Sequence, residues 1–255
     1  MLRVTGTEAI NLCQYGQLCS GLRAIIDGAV HRVQDIWGAK SSTEDWGLLP
    51  VDAKNVFNEI NWIRMMWMVS QLWPSGDHFL NCYCHWSWIV LRSENGTNSF
   101  LHSREGVTQG DPLAMASYDI GFLPLIKRLK LEYTYVTQPW YADDAVALCT
   151  FDNIGLYFIS LKKFSLGRGY YLKPSKIVLI VHPDNLATRK RFGLHHRFKV
   201  CTGAHYLGGF IEDDKSRRYW LKDRTSKWKD FFTITETTGK YPQEGYSAVV
   251  CTIQL

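Results

Sequence analysis

Residues 141–144 (Tyr-Ala-Asp-Asp) place two adjacent carboxylates between apolar runs. Val136 and Trp140 come before the pair, and residues 145–148 (Ala-Val-Ala-Leu) follow it. Burying two neighbouring negative charges is costly unless a cation compensates them. Carboxylate oxygens are the ligands that Mg²⁺ prefers in proteins. The pair therefore indicates a divalent-metal site or, because Asp-Asp is also common on the surface, a solvated turn.

A third carboxylate, Asp52, ends a predicted short strand over 48–52 and precedes a predicted helix over 56–72. A carboxylate at the end of a strand can project into a site. The alternative is that Asp52 caps the helix N-terminus, a common role for aspartate. The apolar positions that predict this helix are Phe57, Ile60, Ile63, Met66 and Val69.

Between these carboxylates, residues 104–113 (Arg-Glu-Gly-Val-Thr-Gln-Gly-Asp-Pro-Leu) predict a glycine-lined approach to a helix over about 112–130. Gly106 and Gly110 permit a tight backbone or a close approach to a ligand. Pro112 suits the first turn of a helix. This pattern is typical of an ordinary loop-to-helix entry, and it also suits binding of a phosphate or a template backbone.

Together, the three segments resemble the motifs of reverse transcriptases: the first carboxylate motif, the Gln-Gly-x-Pro motif and the Tyr-x-Asp-Asp box, in that order. The similarity is greatest to reverse transcriptases of retrotransposons without long terminal repeats. It extends along nearly the whole chain. Further segments that look like family motifs are Gly21–His31, Gly169–Val181 with Lys173-Pro174-Ser175-Lys176, and Tyr206-Leu207-Gly208-Gly209. The last of these looks like the Leu-Gly hairpin that grips the primer.

The resemblance implies RNA-directed DNA synthesis by nucleotidyl transfer with two Mg²⁺ ions, or Mn²⁺ in their place. Two metal ions can stabilise the attacking and leaving oxygens of such a displacement. By resemblance, Asp52 and Asp143 would bridge both metals, and Asp144 would support the site.

The resemblance also implies nucleotide-binding residues. Phe57 would block a ribose 2′-hydroxyl and so favour deoxynucleotides, although it is also a natural core residue. Gln109 and Gly110 would contact the incoming nucleotide and the template. Lys176, with Lys173 as the alternate, would lie near the leaving pyrophosphate, although a surface charge is the simpler interpretation of either lysine.

The implied fold class is α+β: a polymerase palm with an antiparallel sheet backed by helices, partial fingers and no complete thumb. Residues 1–47 would form partial fingers or a connecting segment, 48–211 the palm, and 212–255 the start of a thumb or a C-terminal connection. The chain then looks like a palm-centred fragment of a larger polyprotein encoded by a mobile element. Its implied partners are an RNA template, a DNA primer and dNTPs.

Composition fits a globular protein with a polyanionic partner. The 255 residues are 46% hydrophobic and 21% charged, with a net charge of +5. A basic excess suits nucleic acid without proving it. Basic residues cluster late in the chain, where Trp220 and Trp228 are interleaved with them, as in a nucleic-acid surface or a solvated helix face.

Cysteine usage and the lack of targeting patterns favour an intracellular protein of the nucleus or cytoplasm, not a secreted one. Seven cysteines occur without a Cys-x-x-Cys pair, which predicts reduced thiols rather than disulfides or zinc. No apolar stretch is long enough to span a bilayer.

Further elements follow from periodicity and turn residues. Asn95-Gly96 predicts a hairpin turn, and Asp152 is placed to cap a helix that ends at Gly167 and Gly169. The remaining predicted elements are a helix over 24–37, hairpin strands over 87–91 and 99–102, strands over 177–181, 199–202 and 206–211, and a helix over 218–232.

Three functions remain open from the sequence. The first is the catalytic palm of a reverse transcriptase. The second is a truncated or inactive retroelement remnant that only binds nucleic acid. The third is a metal-dependent nuclease or phosphatase that uses the same aspartates.

Overall fold

The computed structural model describes residues 2–13, 16–18, 25–41, 45–80, 87–103, 105–107, 111, 113–185, 199–211 and 214–238. Within these ranges the helices are α1 Leu2–Cys13, α2 Ile25–Lys40, α3 Val56–Glu59, α4 Trp62–Leu72, α5 Pro74–Leu80, α6 Ala114–Glu132, α7 Phe151–Ser165 and α8 Asp214–Thr238. The strands are β1 Trp46–Val51, β2 Ser87–Arg92, β3 Asn98–Ser103, β4 Trp140–Tyr141, β5 Asp144–Thr150, β6 Val178–Val181, β7 Lys199–Cys201, β8 Ala204–Tyr206 and β9 Gly209–Ile211.

None of the eight helices within the described ranges combines the length and the apolar character that a membrane crossing requires.

A five-stranded sheet in the order β4-β5-β1-β6-β7 forms the centre of the fold. Its neighbouring strands pair antiparallel, except that β7 pairs parallel to β6. Successive residues of a strand face opposite sides of a sheet. Leu49 and Val51 accordingly pack into a core with α4, α6 and α7, whereas Leu48 packs into a second core with α2 and the β8–β9 hairpin. The predicted α+β fold, an antiparallel sheet backed by helices, is confirmed, with β7 as the one parallel addition.

The helix predicted over 56–72 is two helices, α3 and α4, separated at Ile60 and Asn61. The side chain of Asn61 accepts a hydrogen bond from the backbone N–H of Arg64 at 3.0 Å, which caps the start of α4. The break changes the phase of the apolar face. As a result, Ile63 is 76% exposed, and the buried positions of α4 are Trp62, Met65 and Val69.

Pro74 begins helix α5 directly after Trp73, the C-cap residue of α4. Proline is tolerated at a first helical position, where its missing N–H would have no partner. Helix α6 begins at Ala114 and is buried along most of its length, including inner positions such as Tyr118 and Leu125. It therefore lies inside the molecule rather than on its surface.

The strand predicted over 206–211 is the β8–β9 hairpin. Its turn consists of Leu207 and Gly208, whose φ angles are 45° and 79°. Two positive φ values are typical of a type I′ turn, which fits the twist of a two-residue hairpin. The single long strand is wrong because the chain reverses at Leu207 and Gly208, whereas the hairpin that the resemblance implies at Tyr206–Gly209 is confirmed.

The other predicted elements lie close to their expected positions. The β2–β3 hairpin is confirmed, with Gly96 in the left-handed region at φ 81°. Helix α7 is confirmed, but its N-cap is Thr150 rather than Asp152. Helix α8 is longer than the predicted 218–232, and its Trp220 ring packs 6.0 Å from that of Phe210 in β9.

Candidate active site

Asp52 and Asp144 lie beside each other at one end of the central sheet. Val51 of β1 pairs with Ala145 of β5 in antiparallel register, so the next residues, Asp52 and Asp144, occupy the same end of the two strands. Both carboxylates line a cavity of about 270 Å³. Because α3 begins after Asn55, Asp52 is not the cap of that helix, and the alternative interpretation is wrong.

Asp143 lies in the two-residue turn of the β4–β5 hairpin. Tyr141 pairs with Asp144, which leaves Ala142 and Asp143 as the turn. Ala142 has a φ of 51°, a backbone conformation that residues other than glycine seldom adopt. The hydroxyl of Tyr170 donates a hydrogen bond to the Asp143 carbonyl at 2.8 Å. The turn is therefore fixed in an unusual conformation by a contact from outside the hairpin.

The three aspartates interact electrostatically. Burial raises the pKa of Asp144 to about 6, with further contributions from the charges of Asp143 and Asp52. Burial also raises the pKa of Asp143, and the charge of Asp52 adds to that effect. Carboxylates that disfavour one another's ionisation are a common arrangement at functional sites.

Lys176 lies at the same site, where its ammonium group forms an ion pair and a hydrogen bond with the Asp52 carboxylate. That hydrogen bond raises the pKa of Lys176. The lysine predicted to lie near a leaving pyrophosphate is therefore a direct neighbour of the first carboxylate.

The backbone preceding Lys176 holds Asp52 in place. The N–H of Lys173 donates to the backbone carbonyl of Asp52 at 3.0 Å, and the N–H of Lys54 donates to that of Tyr171 at 2.7 Å. An isolated bridge joins Ala53 to Leu172 between them. The Lys173 side chain, the alternate for the pyrophosphate role, is exposed.

The donor chemistry of the three aspartates fits a hard cation such as Mg²⁺. In the part of the chain that the structure describes, however, no three His, Cys, Asp or Glu side chains converge into a group that could hold a metal ion. The Asp52 carboxylate is instead neutralised by the ammonium of Lys176. Metal ligation by Asp52, Asp143 and Asp144 thus stays a prediction.

Phe57 is partly buried in α3, and its ring lies 4.6 Å from the ring of Tyr118. From Tyr118 the contacts continue through Phe122 to Tyr170, with centroid distances of 4.6 and 5.7 Å. Phe57 therefore packs against the core, and it is linked through aromatic rings to the tyrosine that holds the Asp143 turn.

The predicted template and nucleotide contacts of Gln109 and Gly110 lie outside the described residues. The segment just before them is described: the N–H of Val107 donates to the carbonyl of Phe57 at 2.5 Å. At Gly106, φ is 86° and a Cβ would lie 2.5 Å from the Cα of Asn58. The tight backbone that glycine permits at position 106 is thus confirmed, and this segment packs directly against α3.

Sequence reasoning missed several residues of the site. His205 and Tyr206 line the cavity with the carboxylates. The hydroxyl of Tyr118 donates to the Ala142 carbonyl at 3.5 Å. The fully buried side chain of Gln17 forms two hydrogen bonds with the backbone of Ala142. Of these residues, Tyr206 belongs to the Tyr206–Gly209 motif, whereas no local sequence pattern identifies the other three.

Comparison with known proteins gives a fold and no close relative. No protein-family model matches the chain, and no curated protein matches it. Among solved structures, telomerase from Candida albicans in complex with a fragment of telomeric RNA matches with a TM-score of 0.57 and 10% identity, over 71% of this chain and 35% of that one. Apo telomerase from Candida tropicalis matches with a TM-score of 0.56 and 13% identity, over 82% of this chain and 38% of that one.

This chain therefore spans little more than a third of these telomerases. At such low identity the likeness concerns the fold alone. The sheet that carries Asp52 and Asp144, with its helices, therefore forms a palm-like fold similar to part of these telomerases.

Proposed function

We propose that this chain is the palm of an RNA-directed DNA polymerase that copies the RNA of a mobile element into DNA. The observation that carries the proposal is the pairing of Asp52 and Asp144 at one end of β1 and β5, with Asp143 in the adjoining turn. The telomerase-like fold supports it. The type of polymerase and the retrotransposon origin are proposed from the three sequence motifs: the first carboxylate, Gln-Gly-x-Pro and Tyr-x-Asp-Asp.

In this proposal, Asp52, Asp143 and Asp144 hold Mg²⁺. When bound, two such ions would stabilise the attacking and leaving oxygens of the nucleotidyl transfer. The residues themselves bind and orient the reactants. Lys176 exchanges its pairing with Asp52 for the negative charge of the triphosphate, and Phe57 presents its ring to the sugar of the incoming deoxynucleotide.

The proposed partners are an RNA template, a DNA primer and dNTPs, with the rest of an element-encoded polyprotein. One telomerase of similar fold was solved with a fragment of telomeric RNA, and we extend binding of nucleic acid to this chain. Residues 221–230 of α8 are exposed and carry Lys222, Arg224, Lys227 and Lys229. Such a helix offers cations to a phosphate backbone.

A primer-extension assay tests the proposal. The 255-residue chain is incubated with poly(rA)/oligo(dT), dTTP and Mg²⁺ or Mn²⁺. We expect extension by the wild type and loss of extension by at least about a hundredfold in Asp143→Asn and Asp144→Asn, because each removes a carboxylate that the chemistry requires. Asp152→Asn, which changes an exposed carboxylate at the start of α7, is the matched control.

The other outcomes each select another function. Binding of the primer-template without extension by the wild type identifies a nucleic-acid-binding remnant. Cleavage of the nucleic acid, or release of phosphate, that depends on Asp143 and Asp144 identifies a nuclease or phosphatase. Extension that is undiminished in both variants contradicts the assigned site.

A further inference from the structure

The turn that carries Asp143 needs an external restraint. Ala142 has a left-handed φ of 51°, which is strained for any residue with a Cβ. The hairpin's first strand, β4, is only two residues long and lies at the edge of the sheet. Pro139 and Thr137 extend the pairing with β5, but these hydrogen bonds restrain the hairpin from the β5 side only. The strained turn therefore gains from a restraint on its other side.

Gln17 supplies that restraint by pairing with both backbone groups of Ala142. Its Nε2 donates to the Ala142 carbonyl at 2.8 Å, and its Oε1 accepts from the Ala142 N–H at 3.0 Å. Beside it, the N–H of Leu18 donates to the carbonyl of Trp140 at 2.8 Å. Residues 17 and 18 therefore satisfy the open edge of β4 much as a neighbouring strand would.

Gln17 is itself firmly anchored. The backbone N–H groups of Gly16 and Gln17 both donate to the carbonyl of Cys13, at 2.7 and 2.8 Å. At Gly16 a Cβ would lie 2.7 Å from the side chain of Leu123 in α6, so this turn presses against the central helix. The side chain of Gln17 is 0% exposed, so bulk solvent does not compete for its amide.

From these contacts we infer that Gln17 is a positioning residue of the proposed polymerase site: it fixes the Ala142–Asp143 turn and thereby aims the Asp143 carboxylate. The inference rests on the proposed function for its catalytic consequence. Together with the Tyr170 hydroxyl on the Asp143 carbonyl, Gln17 holds the turn from a second side. Catalytic groups lose rate when they are misplaced by about 1 Å, even if substrate still binds.

Two variants of the full chain test this role. Gln17→Met keeps the length of the side chain and removes both hydrogen bonds. Gln17→Glu keeps the acceptor that faces the Ala142 N–H and replaces the N–H donor by a carboxyl oxygen, which can donate to the Ala142 carbonyl only when it is protonated. It tests the role if Gln17→Met does not fold. Gln34→Met is the matched control, because Gln34 also donates to a distant backbone carbonyl, that of Phe210 at 3.1 Å, away from the turn.

Hydrogen exchange measured by mass spectrometry reads the position of the turn whether or not the chain is a polymerase. In Gln17→Met we expect exchange in a peptide covering residues 140–146 to quicken about tenfold or more, with β1 unchanged. Gln34→Met should leave that peptide as in the wild type. Unchanged exchange at 140–146 would overturn the inference. An equal rise in exchange along the whole chain would also overturn it, because such a rise identifies a merely structural residue.

Single-turnover primer extension reads the catalytic consequence. We expect the maximal rate of Gln17→Met to fall about a hundredfold while the apparent Kd for dTTP changes less than about twofold. An equal loss in rate and affinity contradicts a positioning role. If the wild type extends no primer, the proposed function fails, and the exchange experiment still decides whether Gln17 fixes the turn.

Discussion

At the scale of single residues, the site concentrates negative charge that the fold does not fully neutralise. Asp144 shares a cavity with Asp52, and its pKa of about 6 reflects burial and two neighbouring aspartates. Lys176 opposes these effects but is committed to Asp52. Such an arrangement lowers the free energy of unfolding at neutral pH, a cost that is common at functional sites.

Replacing Asp144 by Asn should therefore stabilise the chain in a pH-dependent way. The folded state binds the Asp144 proton more tightly than the unfolded state, in which the pKa is near the ordinary 3.8. The free energy of unfolding of the wild type then falls as the pH rises from about 4 to about 6 and stays lower above that range. Urea denaturation should show a larger gain for Asp144→Asn at pH 8 than at pH 4.

The control for this measurement is Asp35→Asn, on the exposed side of α2. Its effect on the free energy of unfolding should be small at both pH values. A gain for Asp144→Asn that is equal at pH 4 and pH 8 would show that the Asp144 charge is not the cause.

Phe57 leads to a prediction about sugar selectivity. Phe57→Ala should raise the incorporation of rUTP relative to dTTP by roughly tenfold or more, because the ring that would exclude the 2′-hydroxyl is lost. Phe57→Tyr, which keeps the ring against Tyr118, should retain the wild-type preference. Competition between the two nucleotides in primer extension measures the ratio, and an unchanged ratio in Phe57→Ala assigns the residue to the core alone.

The sequence predicted the acidic residues of the site better than their supports. Asp143 and Asp144 stand between apolar residues, and Asp52 ends a strand, so each had a local pattern. Gln17 is 125 positions away from Ala142 in the chain, and a lone glutamine has no pattern that identifies a distant partner. Contacts of this kind depend on the tertiary fold.

At the scale of elements, a single irregular connection holds much of the site. Gly169 follows α7 with a φ of 81°, and a Cβ there would lie 1.7 Å from the carbonyl oxygen of Glu59. The next residue, Tyr170, donates to Asp143, and residues 171–173 pair with the backbone around Asp52. The close approach at Gly169 therefore determines how both carboxylate segments are held.

Gly169→Ala should destabilise the chain by about 2–4 kcal/mol, since it combines a strained φ with a backbone clash. Gly28→Ala is the matched control: Gly28 lies inside α2, where an added Cβ would meet nothing within 4 Å, and alanine there should stabilise by about 0.5–1 kcal/mol. Chemical denaturation compares the two. Equal effects would contradict the close approach at Gly169.

Element boundaries show where sequence patterns mislead. Ile60 and Ile63 continue the apolar period of Phe57, so the pattern predicted one helix where Asn61 starts a second one. For α7, in contrast, the pattern was correct, because Ile154, Tyr157 and Leu161 form one buried face without interruption. A side-chain cap inside an apolar run is a stronger determinant than the period around it.

At the scale of the whole molecule, the two sides of the sheet differ in their surroundings. The side that packs on α2 and the β8–β9 hairpin contains the cavity, and the hairpin in turn contacts α8. The opposite side is covered by α4, α6 and α7. The fold class was predictable because motifs and strands alternate with helices, whereas the parallel pairing of the three-residue β7 had no sequence signal.

Binding of a primer-template should consequently depend on α8. Arg218→Ala with Lys222→Ala removes two exposed cations of this helix, and the slope of log Kd against log salt should decrease by roughly 1.5 in magnitude. Lys162→Ala with Lys163→Ala, on the exposed side of α7, is the matched control and should leave the slope unchanged. Fluorescence anisotropy between about 50 and 200 mM salt measures both. Equal slopes for the two double variants would remove α8 from the interface.

The ion pair between Lys176 and Asp52 has a consequence for biosynthesis. The two residues are 124 positions apart, so at about 5–20 residues per second a ribosome needs roughly 6–25 s between them. During that interval the first carboxylate segment has emerged without the strand and the cation that complete its surroundings. Native contacts of such long sequence separation form late in folding. The native arrangement of the candidate site should therefore form late, after most of the helices have formed.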